Sequence, residues 1–163
     1  MKISIITPTF NSENTIENTI NSLIEQTYKK IEHVIIDNHS TDETLNIVEK
    51  YRHIYNQKGI ELKVLCEKDN GLYDAINKGI MISSGDIIGI LTSNDRYYIK
   101  DALKTIHDEI ETNNLDAVYA NVIFVSNDVI TRRWKSKKFI PGDFYKSWTP
   151  AHPTFYYNKK LHN

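Results

Sequence analysis

An α/β fold, with a mostly parallel central sheet flanked by helices, is predicted by three observations. Short β-branched runs recur along the 163 residues at "KISIITPTF", "EHVIID", "IELKVLCE" and "DIIGIL". The intervals between them place apolar residues at helical spacing. The runs themselves are almost continuously apolar, as strands covered on both faces are. Strands and helices alternating at this length imply parallel crossovers, and such sheets bind ligands at the carboxyl ends of their strands.

Each element has a local justification. "KISIITPTF" is a buried strand whose carboxyl end meets a loop at Pro8. Beyond it, Asn14 and Glu17 have capping-box spacing, and Ile16, Ile20, Leu23 and Ile24 share one helical face. "EHVIID" is the second strand and ends at Asp37. Ser40 and Glu43 offer another capping box before "TDETLNIVEKY", in which Leu45, Val48 and Tyr51 or Arg52 share a side. "IELKVLCE" is the third strand. "LYDAINKGIMISS" is a helix with Ala75, Ile76, Gly79 and Ile80 inward, and "DIIGIL" is the fourth strand. "IKDALKTIHDEIETN" buries Ala102 or Leu103, Ile106 and Ile110. "DAVYANVIFV" and "VITRRW" read as two strands of a hairpin turning at "SND". After Ile130 the sequence is basic, aromatic and less regular, and "YNKKLHN" reads as the start of another element.

With 40% hydrophobic residues the chain supports one core, hence one domain. The longest aliphatic stretch, around Ile87 to Leu91, falls far short of the roughly 20 residues that span a bilayer. Met1 leads straight into a strand without a signal-peptide pattern, so a soluble, cytoplasmic protein is expected. The single cysteine, Cys66, sits in an apolar run and reads as a buried structural thiol rather than a nucleophile. The net charge of −1 conceals an asymmetry, because Val129 to Asn163 holds eight Lys and Arg against one acid, leaving −8 for the remainder. That last fifth either faces something anionic, such as a lipid head group, a pyrophosphate or a membrane surface, or is a solvated tail.

The strand ends collect Pro8, Thr9, Phe10 and Asn11; Asp37, Asn38, His39 and Ser40; Asp69, Asn70 and Gly71; and Ser93, Asn94 and Asp95. If the strands are adjacent and parallel, these share one rim. They suit a nucleotide: a base stacks on Phe10 and Asp37 accepts from a base imide such as uracil's. Asp95 suits a hard divalent cation, which takes one or two carboxylates together with phosphate oxygens. Either carboxylate alone serves equally well to cap a helix or close a turn. The sequence has no GxxxxGK[ST] loop, no GxGxxG after its first strand and no HExxH, and of the six histidines all but His152 read as structural or surface residues.

These residues resemble the inverting family 2 glycosyltransferases of the A-type nucleotide-sugar-binding fold (Rossmann-like, GT-A). "ISIITPTFNSENTIENTINSLIEQTYKKIEHVIIDNHSTDET" is similar to that family's opening, with a Pro-x-aromatic-Asn motif after strand one and an Asp-x-x-Ser-x-Asp-x-Thr motif after strand two. "EKDNGLYDAINKGIMISSGDIIGILTSND" resembles the block ending in its Asp-x-Asp region, and "AHPTFYY" resembles the acceptor-side strand of bacterial polysaccharide members. The resemblance implies a nucleotide-sugar-binding part over 1–128 and, in the same domain, the start of an acceptor-side region over 129–163. It implies that Pro8, Thr9, Phe10 and Asn11 hold base and ribose and that Asp37 reads the base. Asn70 and Asp74 would lie near the diphosphate or donor sugar, with Ser93 and Asn94 beside them, and Asp95 would hold Mg²⁺ or Mn²⁺. Trp134 and His152 fall on the acceptor side.

Two departures from the family pattern bear on chemistry. The stretch Thr92-Ser93-Asn94-Asp95 retains only the last acid of the metal motif. No acid after Asp95 sits in a recognisable version of the family's general-base motif, whose helix would follow Asn163. The resemblance therefore implies the N-terminal portion of a longer enzyme that binds donor but transfers poorly by itself.

The expected activity is transfer of a sugar from a nucleotide-diphospho-sugar, UDP-linked, to a glycan or lipid-linked acceptor, with peripheral association at the inner face of the plasma membrane. A homodimer is left open. Two alternatives stand beside it: a non-catalytic nucleotide-sugar-binding or interaction module, and a nucleotidyltransferase, which would need a basic, Gly-rich loop where "TPTFNSEN" stands. Nucleic acid is not an expected partner, since the rim is acidic and the basic residues are confined to one late segment.

Overall fold

The computed structural model describes residues 1–126, 129–142, 145 and 148–162. The first part alternates as β1 (Ile3–Thr9), α1 (Ile16–Ile24), β2 (Ile31–Asp37), α2 (Thr44–Lys58), β3 (Glu61–Cys66), α3 (Leu72–Ile82), β4 (Ile87–Ile90) and α4 (Ala102–Thr112). Four short strands follow: β5 (Ala117–Val118), β6 (Val122–Ser126), β7 (Val129–Trp134) and β8 (Tyr156–Asn158). The central sheet runs β3-β2-β1-β4-β8-β5, with β6 and β7 forming a separate two-stranded sheet. β1 pairs in parallel with β2 and β4, and β2 with β3, whereas β8 is antiparallel to both of its neighbours.

Continuous apolar runs in β1 and β2 are explained by the two cores they serve. Ile3, Ile5, Ile31 and Ile35 pack with residues of α1, α2 and α4 on one face. Ile6, Val34, Ile36 and Ile88 pack against Ala75, Ile76 and Ile80 of α3 on the other. Since the chain leaves β1 for β2 on one side and returns through α3 to β4 on the other, the topology switches between β1 and β4. Open α/β sheets take their ligands beyond the carboxyl ends of the strands that flank such a switch point. Pro8 is tolerated there: the Leu91 N–H donates to the Ile6 carbonyl at 3.0 Å, so Pro8, two residues on, turns its missing N–H past the last β1–β4 pair, Ile6 with Ile90.

Several expectations are corrected. Neither capping box forms, because the polar groups have nearer partners. A turn in which the Ser12 carbonyl accepts from Thr15 and Ile16 N–H delays α1, and Glu17 accepts instead from the Tyr51 hydroxyl at 2.9 Å. At α2, the Thr44 N–H goes to Asp42, while Ser40 is engaged by Asp37. The buried stripe of α2 is Thr44, Val48 and Tyr55, with Leu45 only half-buried and Arg52 exposed. Cys66 is exposed, since β3 is an edge strand; its S–H donates to Asp37 at 3.3 Å. Desolvation, then that carboxylate, push its thiol pKa above the ordinary value, which keeps it a weak nucleophile.

"DAVYANVIFV" is two strands: Ala117–Val118 joins the central sheet and Val122–Ser126 leaves it. The β6–β7 hairpin is present, but its turn at 127–128 lies outside the described residues. β8 enters between β4 and β5 because Gly89 makes room. A Cβ at Gly89 would sit 2.1 Å from Cε1 of Tyr156.

Glu32 and His33 are buried within β2. Glu32 accepts from Ser4, from the Ser84 N–H and hydroxyl at 2.7 and 2.6 Å, and from Lys63 at 2.6 Å. Burial alone would raise its pKa, but these bonds outweigh it and lower it to about 2. His33 lies between the Thr7 hydroxyl at 2.8 Å and the Tyr55 hydroxyl at 2.5 Å, and desolvation depresses its pKa to about 3.

Candidate functional site

The carboxyl ends of β1, β2, β3 and β4 meet on one rim and are laced together by short polar side chains. The Asn38 N–H donates to the Thr9 carbonyl, and the Asn38 side chain accepts the Asp69 N–H. Asn11, at φ 46, donates its N–H to the Ser40 hydroxyl and accepts the Thr41 N–H on its side chain. The Ser12 N–H donates to Thr44, and its hydroxyl meets that of Ser93 at 2.8 Å, linking the loops that follow β1 and β4. Hydroxyl and amide residues in these loops therefore act as braces. Of these, Ser12, Thr41 and Thr44 escape sequence reasoning, since nothing local distinguishes a bracing hydroxyl from a solvated one.

Within this frame the candidate residues differ in their surroundings. Phe10 presents an exposed ring, 56% accessible, beyond the buried end of β1. Thr9 is 5% exposed, and among the described residues its Oγ1 is the one buried side-chain polar atom with no hydrogen-bond partner. An orphaned hydroxyl of this kind is destabilising unless something else satisfies it. Thr9 is paired in register with Asp37 of β2. Asp37 is fully buried; its Oδ1 accepts the Ser40 hydroxyl at 2.5 Å, and its Oδ2 accepts the Ser40 N–H at 2.8 Å and the Cys66 thiol. A carboxylate offers about four lone-pair sites, so one on Oδ1 remains.

At the entrance to α3, Asp74 accepts the Asn70 N–H at 2.9 Å, with Lys78 at 3.7 Å. The Asn70 N–H bond, then Lys78, hold the Asp74 carboxyl below the usual range despite partial desolvation. Gly71 turns the chain into the helix at φ 113, a conformation favouring glycine.

Asp95 closes a turn, its N–H donating to the Thr92 carbonyl at 2.9 Å, and its own carbonyl accepts the Thr19 hydroxyl of α1 at 2.7 Å. The Thr92 hydroxyl lies 2.7 Å from Asn94 Oδ1 and 2.6 Å from Asp95 Oδ2. One proton serves only one of those contacts, so three hard oxygens are gathered around a single formal charge. Among the described residues no three His, Cys, Asp or Glu side chains converge as a metal cage. This oxygen set fits a hard divalent cation that draws its other ligands from phosphate and water.

The acceptor-side candidates stand apart. His152 is exposed and begins a 3-10 turn, His152–Thr154, beside β4. Trp134 ends β7, on the separate hairpin. Thr154 connects the two regions by hydrogen bonds with the Ala120 N–H and carbonyl. Among the described residues no hydrogen bond joins Trp134 or His152 to the strand-end loops.

The sequence matches the family Glycosyl transferase family 2 over residues 4–162. It is 36% identical over 120 residues to the poly(ribitol-phosphate) beta-N-acetylglucosaminyltransferase TarS of Staphylococcus aureus, covering 72% of this chain and 20% of TarS. It is 33% identical over 132 residues to the Escherichia coli UDP-Glc:alpha-D-GlcNAc-diphosphoundecaprenol beta-1,3-glucosyltransferase WfaP, covering 79% of this chain and 49% of WfaP. The crystal structure of S. aureus TarS 1-349 in complex with UDP-GlcNAc is similar at a TM-score of 0.74 and 27% identity, over 99% of this chain and 46% of that one. The chain thus spans less than half the length of these relatives.

Proposed function

The chain belongs to glycosyl transferase family 2, and on that premise we propose that the rim formed by its strand ends binds a UDP-linked sugar and presents it, for transfer with inversion, to a glycan or lipid-linked acceptor. The observation that carries this reading is the buried, unpartnered Thr9 hydroxyl at the carboxyl end of β1. It lies beside the topological switch point, where open α/β sheets take their ligands. The UDP-GlcNAc held by the similar TarS structure supports it.

In this reading Phe10 stacks on the base, Thr9 and Asn11 hydrogen-bond the nucleoside, and Pro8 sets the direction in which the loop leaves β1. The base imide N–H goes to Asp37 Oδ1, where it uses the remaining lone pair or takes the place of the Ser40 hydroxyl. Asn70 and Asp74 orient the sugar diphosphate from the α3 side, and Ser93 braces the β4 loop against Ser12. Thr92, Asn94 and Asp95 hold Mg²⁺ or Mn²⁺, which when bound neutralises charge on the diphosphate leaving group. Trp134 and His152 face the acceptor, and we assign no general base among the described residues.

The place of action in this reading is the cytoplasmic side of the plasma membrane, and the diphosphoundecaprenol-linked acceptor in the name of WfaP supports a membrane-held acceptor. Among the described residues no helix is long and apolar enough to cross a membrane. A second reading, a donor-binding module without transfer activity, is favoured by the single carboxylate in the oxygen cluster.

Calorimetric titration of UDP in Mn²⁺, in Mg²⁺ and in EDTA, repeated with Asp95→Ala, tests the proposal. Metal-dependent binding that the variant loses supports both donor and metal sites. Binding unchanged by EDTA removes the metal from the reading, and no UDP binding under any condition overturns the donor assignment.

A further inference from the structure

The loop that leaves β4 is anchored at its first residue by a buried relay of side chains. β1 and β4 pair in parallel as far as Ile6 with Ile90, and the Leu91 N–H still donates to the Ile6 carbonyl at 3.0 Å. In regular parallel pairing the next bond would run from the N–H of residue 8 to the Leu91 carbonyl. Residue 8 is Pro8, which has no N–H to give. The Thr7 hydroxyl supplies the donor instead, 2.7 Å from the Leu91 oxygen. Leu91 is buried, so without Thr7 its carbonyl would be a costly orphan.

The direction of the relay follows from what each atom can do. A carbonyl oxygen only accepts, so the single Thr7 hydroxyl proton goes to Leu91. His33 Nε2, 2.8 Å from the same hydroxyl, must then be a donor, and Nδ1 must accept from the Tyr55 hydroxyl at 2.5 Å. This requires a neutral imidazole in one tautomer, in keeping with the burial that lowers its pKa to about 3. Thr7, His33 and Tyr55 are all fully buried. The Thr7 hydroxyl therefore cannot turn its proton toward His33 without meeting the proton on Nε2.

We propose that Thr7, oriented by His33 and Tyr55, is a positioning residue for the oxygen cluster of Thr92, Asn94 and Asp95, fixing the peptide from which Thr92 departs before a cation arrives. The inference rests on the metal assignment of the proposed function and adds a residue that acts on that site through Leu91. The relay meets the cost of ordering the loop during folding, which is how preorganisation raises affinity. Without it the cation has to impose the loop geometry itself.

Nitrogen NMR of His33 at neutral pH and Mn²⁺ titration of the UDP-saturated protein test the proposal, with UDP titration in EDTA as a separate readout. The ring is expected to carry its proton on Nε2 and none on Nδ1. Thr7→Val should weaken Mn²⁺ binding by up to the net value of one hydrogen bond, about 2- to 12-fold, and leave UDP affinity in EDTA unchanged. Thr7→Ser keeps the hydroxyl and should bind Mn²⁺ as the native protein does. A protonated Nδ1 in the native ring, Mn²⁺ affinity that survives Thr7→Val, or an equal loss in Thr7→Ser would overturn the proposal while leaving the metal site in place. Mn²⁺ binding by the native complex no tighter than that of free UDP would overturn the metal assignment and, with it, this inference.

Discussion

Replacing Thr9 with valine separates stability from ligand affinity at one atom. Thr9 Oγ1 is buried with no partner, and leaving such a group unsatisfied is destabilising by about 1–3 kcal/mol. Valine keeps the β-branched shape that a strand favours and removes the orphan. Without ligand, Thr9→Val should therefore be more stable by about 1–2 kcal/mol, raising Tm by roughly 2–8 °C for a domain of this size. If the hydroxyl bonds the nucleotide, the same change should weaken UDP binding by the net value of one hydrogen bond, about 2- to 12-fold. Thermal melts with and without UDP measure both, because a bound ligand adds stability in proportion to the logarithm of its concentration over Kd. The variant's advantage should shrink as UDP is added. A lower Tm without ligand would show that the hydroxyl is satisfied in the free protein, and an unchanged UDP affinity would remove Thr9 from the site.

Three further outcomes follow from the same structure. Gly89→Ala drives a Cβ into the ring of Tyr156, which is buried and tied by its hydroxyl to that of Tyr97 at 2.8 Å. It should destabilise by about 3 kcal/mol, and an unchanged urea midpoint would mean that β8 shifts freely. Glu32→Gln removes the charge that Lys63, Ser4 and Ser84 share, while the partly exposed Lys63 keeps Glu61 at 3.5 Å, and should reduce stability by about 1–2 kcal/mol at pH 7, read by urea denaturation; a loss below about 0.5 kcal/mol would place the pair in effectively solvated surroundings.

The pH profile adds a test of sign, since Glu32 and His33 each have a folded pKa below the unfolded one. His33 falls from 6.5 to about 3, so the unfolded chain takes up a proton first, and stability should decline as pH drops below about 6.5 and continue to fall toward 3. Glu32 falls from 4.5 to about 2, so its contribution is complete above 4.5 and is lost as pH falls from there through 2. Stability curves from pH 8 to 4 should therefore bend near 6.5, and a flat profile down to pH 5 would contradict the assignment of a buried neutral imidazole.

Much of the architecture is legible because its causes are local. The helices over Ile16–Ile24 and Leu72–Ile82 follow from apolar spacing, and the strand ends at Thr9 and Asp37 follow from where β-branched runs give way to polar loops. With parallel order, those ends must share a rim, and the clusters at Pro8–Asn11, Asp37–Ser40 and Ser93–Asp95 carry the family's pattern. Competition among nearby hydrogen-bond partners is less legible: Ser40 reads as a helix cap, yet it bonds Asp37 and Asn11 because the rim brings those groups nearer.

What the sequence determined by itself is the succession of strands and helices, the side of the sheet that carries polar groups, and the kinship those groups imply, all encoded in periodicity and short motifs. Tertiary structure alone decided that Cys66 is exposed on an edge strand, that Tyr156 enters the sheet opposite Gly89, that Ser12 meets Ser93 and that the Thr9 hydroxyl is left without a partner. Each of those outcomes depends on which distant segments become neighbours, and on the few ångströms of space between them, which no local pattern records.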